Sequence, residues 1–200
     1  MNGLTTLLDN QVWSIDNFLS EDNFKYLLDN YVNRDFDMIH VNNKDFVPIM
    51  ADTDMSYRVV SIPIFQPIID SITHNLNITL DISKSKLAMQ YKRFLKDDHY
   101  ALHAEDSTKY GDYVYIMYLT DEADGELIIP SYDDAMEENT PGFDDMRKMF
   151  NVSFAPKTIT YMPKANTCVV MRTGIAHIVR KCSGRRDSIA GWPEFISKTS

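Results

Sequence analysis

From residue 86 onward the hydrophobic pattern of this chain repeats every two residues rather than every three to four. That change sets what its second half can become. Residues 86–95, 113–120, 126–130, 158–163, 167–172, 175–180 and 187–192 are short runs rich in β-branched and aromatic residues, each bounded by turn-forming residues. Seven such runs with no helical pattern between them predict an antiparallel sandwich or jelly roll. The longest interruption, 131–151, is acidic and reads as a surface loop with a helical turn.

The first half reads differently. Ser20 followed by Glu21 and Asp22 is a capped helix start. Phe24, Leu27, Leu28 and Tyr31 then recur at helical spacing, predicting a helix over 21–33. A second helix is expected over 64–77, with Phe65, Ile68, Ile69, Ile72 and Leu76 on one side. Both stripes suit packing against a sheet. Residues 34–60 read as polar and irregular. The expected architecture is mostly β with N-terminal helices: one domain over 1–200, its helical support at 1–85 and its β core at 86–195.

Composition narrows the function classes. The 200 residues are 44% hydrophobic and 24% charged, which is globular usage. The longest nearly uncharged apolar stretch, 59–69, holds two prolines and falls short of the about 20 residues that span a bilayer. No membrane partner is expected. The first residues lack a basic segment leading into an apolar one, so a cytoplasmic location is expected, and Cys168 and Cys182 are read as reduced thiols. The net charge is −9, which argues against nucleic acid, whose binding is driven by phosphate neutralisation. The charge is uneven, however: 121–150 carries two basic and ten acidic residues, and 151–200 carries eight basic and two acidic. The basic tail suits a small anion.

Of five histidines, only His103 has an acid two residues later, Glu105. On a strand the two would share a face. The neighbouring Asp106 is a second candidate, and alone the pair is not distinctive. His177, on a later strand, completes a set of two histidines and one carboxylate. That set matches the facial triad of non-haem Fe(II) oxygenases, although three ligands with an open position also suit catalytic zinc. Arg186 lies nine residues beyond His177, and Ser188 follows on the same strand face. Arginine holds a carboxylate through a planar two-donor fork and serine adds a third donor, so the two form a candidate anion clamp.

In this order the segments resemble the prolyl 4-hydroxylase branch of the Fe(II)/2-oxoglutarate-dependent dioxygenases. The segments are LAMQYKRF (87–94), YALHAE (100–105), YVYIMYLTD (113–121), DGELIIP (124–130), MPKANTCVVM (162–171) and HIVRKCSGRRDSIAGW (177–192). WSIDNFLSEDNF (13–24) is similar to the family's opening strand and helix. The resemblance implies a double-stranded β-helix (a cupin-like jelly roll) holding Fe(II) on His103, Glu105 and His177. It implies 2-oxoglutarate as cosubstrate, its distal carboxylate on Arg186 with Ser188, Tyr91 and Tyr118, and O2 as oxidant, with ascorbate a candidate reductant. It places Tyr100 and Trp192 at the substrate. Tyr91, Tyr118 and Trp192 are equally residues that a β core buries.

The chain departs from the family pattern in four places. It has Glu105 where Asp is commoner, no glycine in KRFLKDDH, Asp124-Gly125 for a Gly-Gly pair, and Gly111-Asp112 where prolyl-directed relatives often place an Arg. The expected activity is hydroxylation of a C–H bond, of a prolyl residue in a peptide or protein, releasing succinate and CO2. The acidic segment 131–151 favours a substrate of basic character. The alternatives are the same chemistry on a free amino acid or other small molecule, a metal-free β-barrel binding module, and a zinc hydrolase.

Overall fold

The computed structural model describes residues 3–34, 37–42, 55–60, 66–80, 88–121, 125–139, 143–149 and 151–192. The Ser20 hydroxyl accepts from the Asn23 amide at 3.4 Å and starts helix α1 (Glu21–Leu27), with Glu21 and Asp22 in its first turn. There the helix dipole favours negative charge. A π-helical turn, Leu28–Val32, carries the helix on. Helix α2 (Gln66–Leu80) follows the short strands β3 (Ile39–Asn42) and β4 (Met55–Val60). Leu27 and Tyr31 join Ile68, Ile72 and Leu76 in one buried cluster, as the two helical stripes predict. Phe65 lies outside the described residues.

Among the described residues twelve strands form one antiparallel sheet that curls back on itself. In chain order the other ten are β1 (Gly3–Leu8), β2 (Val12–Asp16), β5 (Ala88–Phe94), β6 (His99–His103), β7 (Tyr113–Tyr118), β8 (Leu127–Ile129), β9 (Ile159–Tyr161), β10 (Thr167–Arg172), β11 (His177–Val179) and β12 (Arg186–Trp192). The order is β1-β2-β10-β7-β12-β5-β4-β6-β11-β8-β9, with β3 against β4. Thus β10-β7-β12-β5 make one wall and β6-β11-β8-β9 the other, bridged by β4, which pairs with both β5 and β6. This is the double-stranded β-helix expected from the sequence.

Period-two alternation gives each strand of the first wall two jobs. Tyr115, Met117 and Ile189 face the helices. Val114, Ile116, Tyr118 and Ala190 face the interior, against Leu127 and Ile129. Asp187, fully buried on the helix side, accepts from Tyr91 Oη (2.6 Å), Arg93 Nε (2.8 Å) and Arg185 Nε (2.5 Å). Arg93 also donates to the carbonyls of Tyr31, Val32 and Arg34. A buried carboxylate is tolerable only when paired in this way, and the network locks the phase of β12, turning Arg186 and Ser188 inward.

Two stretches differ from expectation. Within 34–60 the structure places β3 and β4, whose Val41, Met55 and Tyr57 are buried. The polar partners that obscured the pattern are used: Asp98 accepts from Ser56 and Arg58, each at 2.5 Å. Among the described residues of 131–151 there are two helices, α4 (Tyr132–Glu137) and α5 (Phe143–Met149), after α3 (Ser107–Tyr110). Ser131 caps α4, and Ala135 and Phe143 pack on Leu102, Ala104 and Ile178, so the segment is anchored by apolar burial.

Candidate metal centre and anion site

His103 ends β6 and His177 begins β11, and the two are direct cross-strand partners. In each ring Nδ1 faces a backbone carbonyl, Ala101 O at 2.8 Å and Ile175 O at 2.9 Å. A carbonyl only accepts, so both Nδ1 atoms carry the proton and both Nε2 lone pairs are free. Such outer partners fix the orientation of metal-binding histidines. Burial, followed by the neighbouring His177, holds the His103 pKa well below the usual histidine value and favours the neutral, ligating form.

Glu105 Oε1 lies 4.0 Å from His103 Nε2 and 3.7 Å from His177 Nε2. Those separations are too long for hydrogen bonds, and they leave room for an ion between the three atoms, which would draw them closer. The three ligand atoms lie within 4.8 Å of one another. Glu105 stands two residues past the end of β6, not on the strand as expected. Its carbonyl accepts from the Gly174 amide at 3.0 Å, which ties it to the turn before His177. Gly174 has φ +85°, and a Cβ there would meet Asn151 O at 2.8 Å, so the turn requires glycine.

Asp106 is used elsewhere. Its Oδ1 accepts from Thr108 N at 2.9 Å and Thr108 Oγ1 at 2.8 Å, capping α3. Asp106→Ala is therefore expected to keep full metal content, with a cost of about 1 kcal/mol for the lost cap. Glu105→Ala is expected to lose the metal. The opposite pattern in metal analysis would move the ligand to Asp106.

Arg186 and Ser188, both 1% exposed, line the same cavity as the triad. Arg186 Nη1 donates to Gly125 O at 2.8 Å, and the guanidinium carbon lies 4.9 Å from the Tyr118 ring centre and 5.0 Å from that of Phe94. Gly125 has φ +81°, and a Cβ there would meet Cys182 Sγ at 2.5 Å. The second residue of the Asp124-Gly125 pair thus has a steric reason, while Asp124 lies outside the described residues. Tyr100 lines the cavity and stacks on His103, with ring centres 3.6 Å apart. Trp192 lines it too and stacks on Tyr110 at 4.8 Å.

Tyr91 is not at this site. It faces the helices, its hydroxyl on Asp187, and burial pushes its pKa up to about 12. The residues of β5 that line the cavity are Lys92, opposite Ser188, and Phe94. A wider, more open groove lined by Glu126, Glu138, Arg180 and Lys181 includes none of the triad.

Three buried polar atoms of the cavity residues lack a hydrogen-bond partner among the described residues: Glu105 Oε2, Arg186 Nε and Trp192 Nε1. A carboxylate oxygen free at the triad and a guanidinium donor free beyond it are what a metal and an anion would satisfy.

No family model matches the chain, and no curated protein matches it. Solved structures do. A prolyl-4-hydroxylase from Pseudomonas putida superposes with a TM-score of 0.62 at 13% identity, over 94% of this chain and 95% of that one. A prolyl hydroxylase from Trichoplax adhaerens, in complex with a hypoxia-inducible-factor oxygen degradation domain peptide fragment, gives 0.60 at 13%, over 94% and 84%. HygX from Streptomyces hygroscopicus, with nickel and 2-oxoglutarate bound, gives 0.58 at 14%, over 94% and 85%. The fold is that of the 2-oxoglutarate–Fe(II) oxygenases. Among the described residues no helix is long and apolar enough to cross a membrane.

Proposed function

We propose that this protein is an Fe(II)- and 2-oxoglutarate-dependent oxygenase, and that the C–H bond it hydroxylates belongs to a prolyl residue of a peptide or protein. One observation carries the chemistry: a His-Glu-His set with both imidazoles pre-oriented shares a cavity with a buried arginine whose Nε has no partner among the described residues. Bound there, Fe(II) with 2-oxoglutarate supplies the oxidising power: one oxygen atom of O2 enters the C–H bond and the other enters succinate as CO2 leaves. The chain's own groups position and enclose. His103, Glu105 and His177 hold the metal. Arg186 and Ser188, with Tyr118 beside the guanidinium, hold the distal carboxylate. Tyr100, packed flat on His103, shields one side of the metal centre from water. The stacked Trp192–Tyr110 pair offers an aromatic wall to a substrate ring.

A zinc hydrolase or a metal-free binding module gives Arg186 no anion, leaving a buried cation offset by one carbonyl and two aromatic faces and no opposite charge. The prolyl substrate is supported by two of the fold relatives being prolyl hydroxylases, one of them holding a peptide. HygX, also solved with hygromycin B, favours a small-molecule substrate as the second reading.

A panel of prolyl peptides and free amino acids, scored by mass spectrometry for a gain of one oxygen, tests the choice. The expected outcome is oxygen on prolyl peptides, with Lys- or Arg-containing ones preferred and that preference shrinking as salt is added. Oxygen only on free amino acids would leave the cofactor assignment standing and remove the prolyl one.

A further inference from the structure

The cavity holds a second cation that the expected site lacks. Lys92 is partly buried on β5, directly across from Ser188. Its Nζ lies 4.9 Å from the Tyr57 ring centre and 5.6 Å from that of Tyr100. Among the described residues no carboxylate lies within ion-pair reach of it. Burial lowers its pKa to about 8, Glu105 opposes that shift, and Arg186 adds to it. So two cations feel one another across a cavity whose one acid among the described residues, Glu105, belongs to the triad. Like charges held together in a desolvated space are unfavourable until anionic charge enters between them. The cavity is therefore built for more negative charge than Glu105 brings.

Resting on the function proposed above, we propose that Lys92 is a second cationic anchor for the 2-oxoglutarate dianion, acting with Arg186. Position favours the cosubstrate over the prime substrate. Lys92 stands opposite Ser188, two residues from Arg186 along the neighbouring strand. Trp192 is four residues farther along β12, opposite Ala88, about 13 Å away at strand rise. The aromatic wall for substrate and the lysine thus belong to different ends of the cavity. The price of this arrangement falls on the ligand-free protein, which must keep an ammonium partly out of water with, among the described residues, aromatic faces and no carboxylate beside it.

The proposal predicts opposite effects on binding and stability. Lys92→Met keeps the aliphatic stem on Tyr57 and Tyr100 and deletes the charge. Anaerobic calorimetric titration of the Mn(II)-loaded protein with 2-oxoglutarate should show affinity weakened roughly tenfold or more, with Mn(II) affinity unchanged. Lys92→Arg should recover part of the loss. The melting temperature of the ligand-free Lys92→Met protein should stay level or rise, because a partly buried charge with no carboxylate partner among the described residues has been removed. Lys92→Gln, polar and uncharged, should match Lys92→Met in cosubstrate affinity. Unchanged 2-oxoglutarate affinity in both uncharged variants, with tight binding by the parent, would overturn the role of Lys92 and leave the enzyme class intact. A lowered melting temperature in both would assign the ammonium to the fold and overturn it likewise. Failure of the parent itself to bind 2-oxoglutarate would instead overturn the function on which the inference rests.

Discussion

His103→Ala and His177→Ala are each expected to strip the protein of metal and abolish turnover while leaving it folded. Each histidine offers Nε2 to the cavity and spends Nδ1 on a carbonyl two residues away in its own chain segment. Removing either ring takes one of three ligands. Loss of an outer-shell partner alone costs about 10- to 100-fold in metal affinity, so loss of a ligand should cost on the order of 100-fold or more. The fold should survive, since the hydrogen bonds given up are local, Leu102, Ala104 and Ile178 stay packed against α4 and α5, and the larger cluster with α1 and α2 lies on the other face of the first wall. His177→Ala is the cleaner test, because His103 also carries the stacked Tyr100 ring. Metal content after anaerobic reconstitution, circular dichroism and 2-oxoglutarate consumption are the readouts. Parent-level turnover in both variants would end the triad assignment.

The parts of this fold legible in the sequence are those where one face of a strand or helix is continuously apolar. Strands β7 and β10 lie within the predicted runs 113–120 and 167–172 because Tyr115 and Met117, or Cys168 and Val170, press on the helices while their neighbours fill the barrel. Strand β6, His-Tyr-Ala-Leu-His, escaped that pattern. It has no β-branched residue, and the register between β6 and β11 is irregular between His177 and Val179. Tyr100 and His103 both reach the cavity despite their odd spacing, so simple alternation fails where the candidate chemistry sits. Strand β4 was hidden for another reason: Ser56 and Arg58 spend their polarity on Asp98, a partner 40 residues away that no local pattern reveals.

The candidate site divides in the same way. The spacing of His103 and Glu105, and of Arg186 and Ser188, could be read because each pair lies on, or just beyond, one strand, and His177 joined them as a histidine on a later strand. The choice between Tyr91 and Lys92 could not, because it depends on register. A one-residue slip exchanges the two faces of a strand, and register is set here by Asp187, whose buried carboxylate draws both Tyr91 and Arg93 to the helix side. Once those two face outward, Lys92 between them must face inward.

Arg186→Ala is expected to raise the apparent KM for 2-oxoglutarate by roughly 10- to 150-fold, the range for losing a charge-assisted hydrogen bond worth about 1.5–3 kcal/mol. Metal affinity should stay near the parent value, since Arg186 is not one of the three ligands. Arg186→Lys should recover only part, because an ammonium keeps the charge but not the planar fork. The origin of the loss can be isolated with pyruvate, a 2-oxo acid without the distal carboxylate. If Arg186 grips that carboxylate, pyruvate should bind the parent and Arg186→Ala with nearly equal, weak affinity, and the difference between them should emerge only with 2-oxoglutarate. An equal loss for both acids would mean that the substitution has disturbed the cavity as a whole, through the Gly125 carbonyl that Nη1 now satisfies. Unaltered 2-oxoglutarate dependence would place the distal carboxylate elsewhere, and Lys92, the other cation lining the cavity, is where it would then have to be sought.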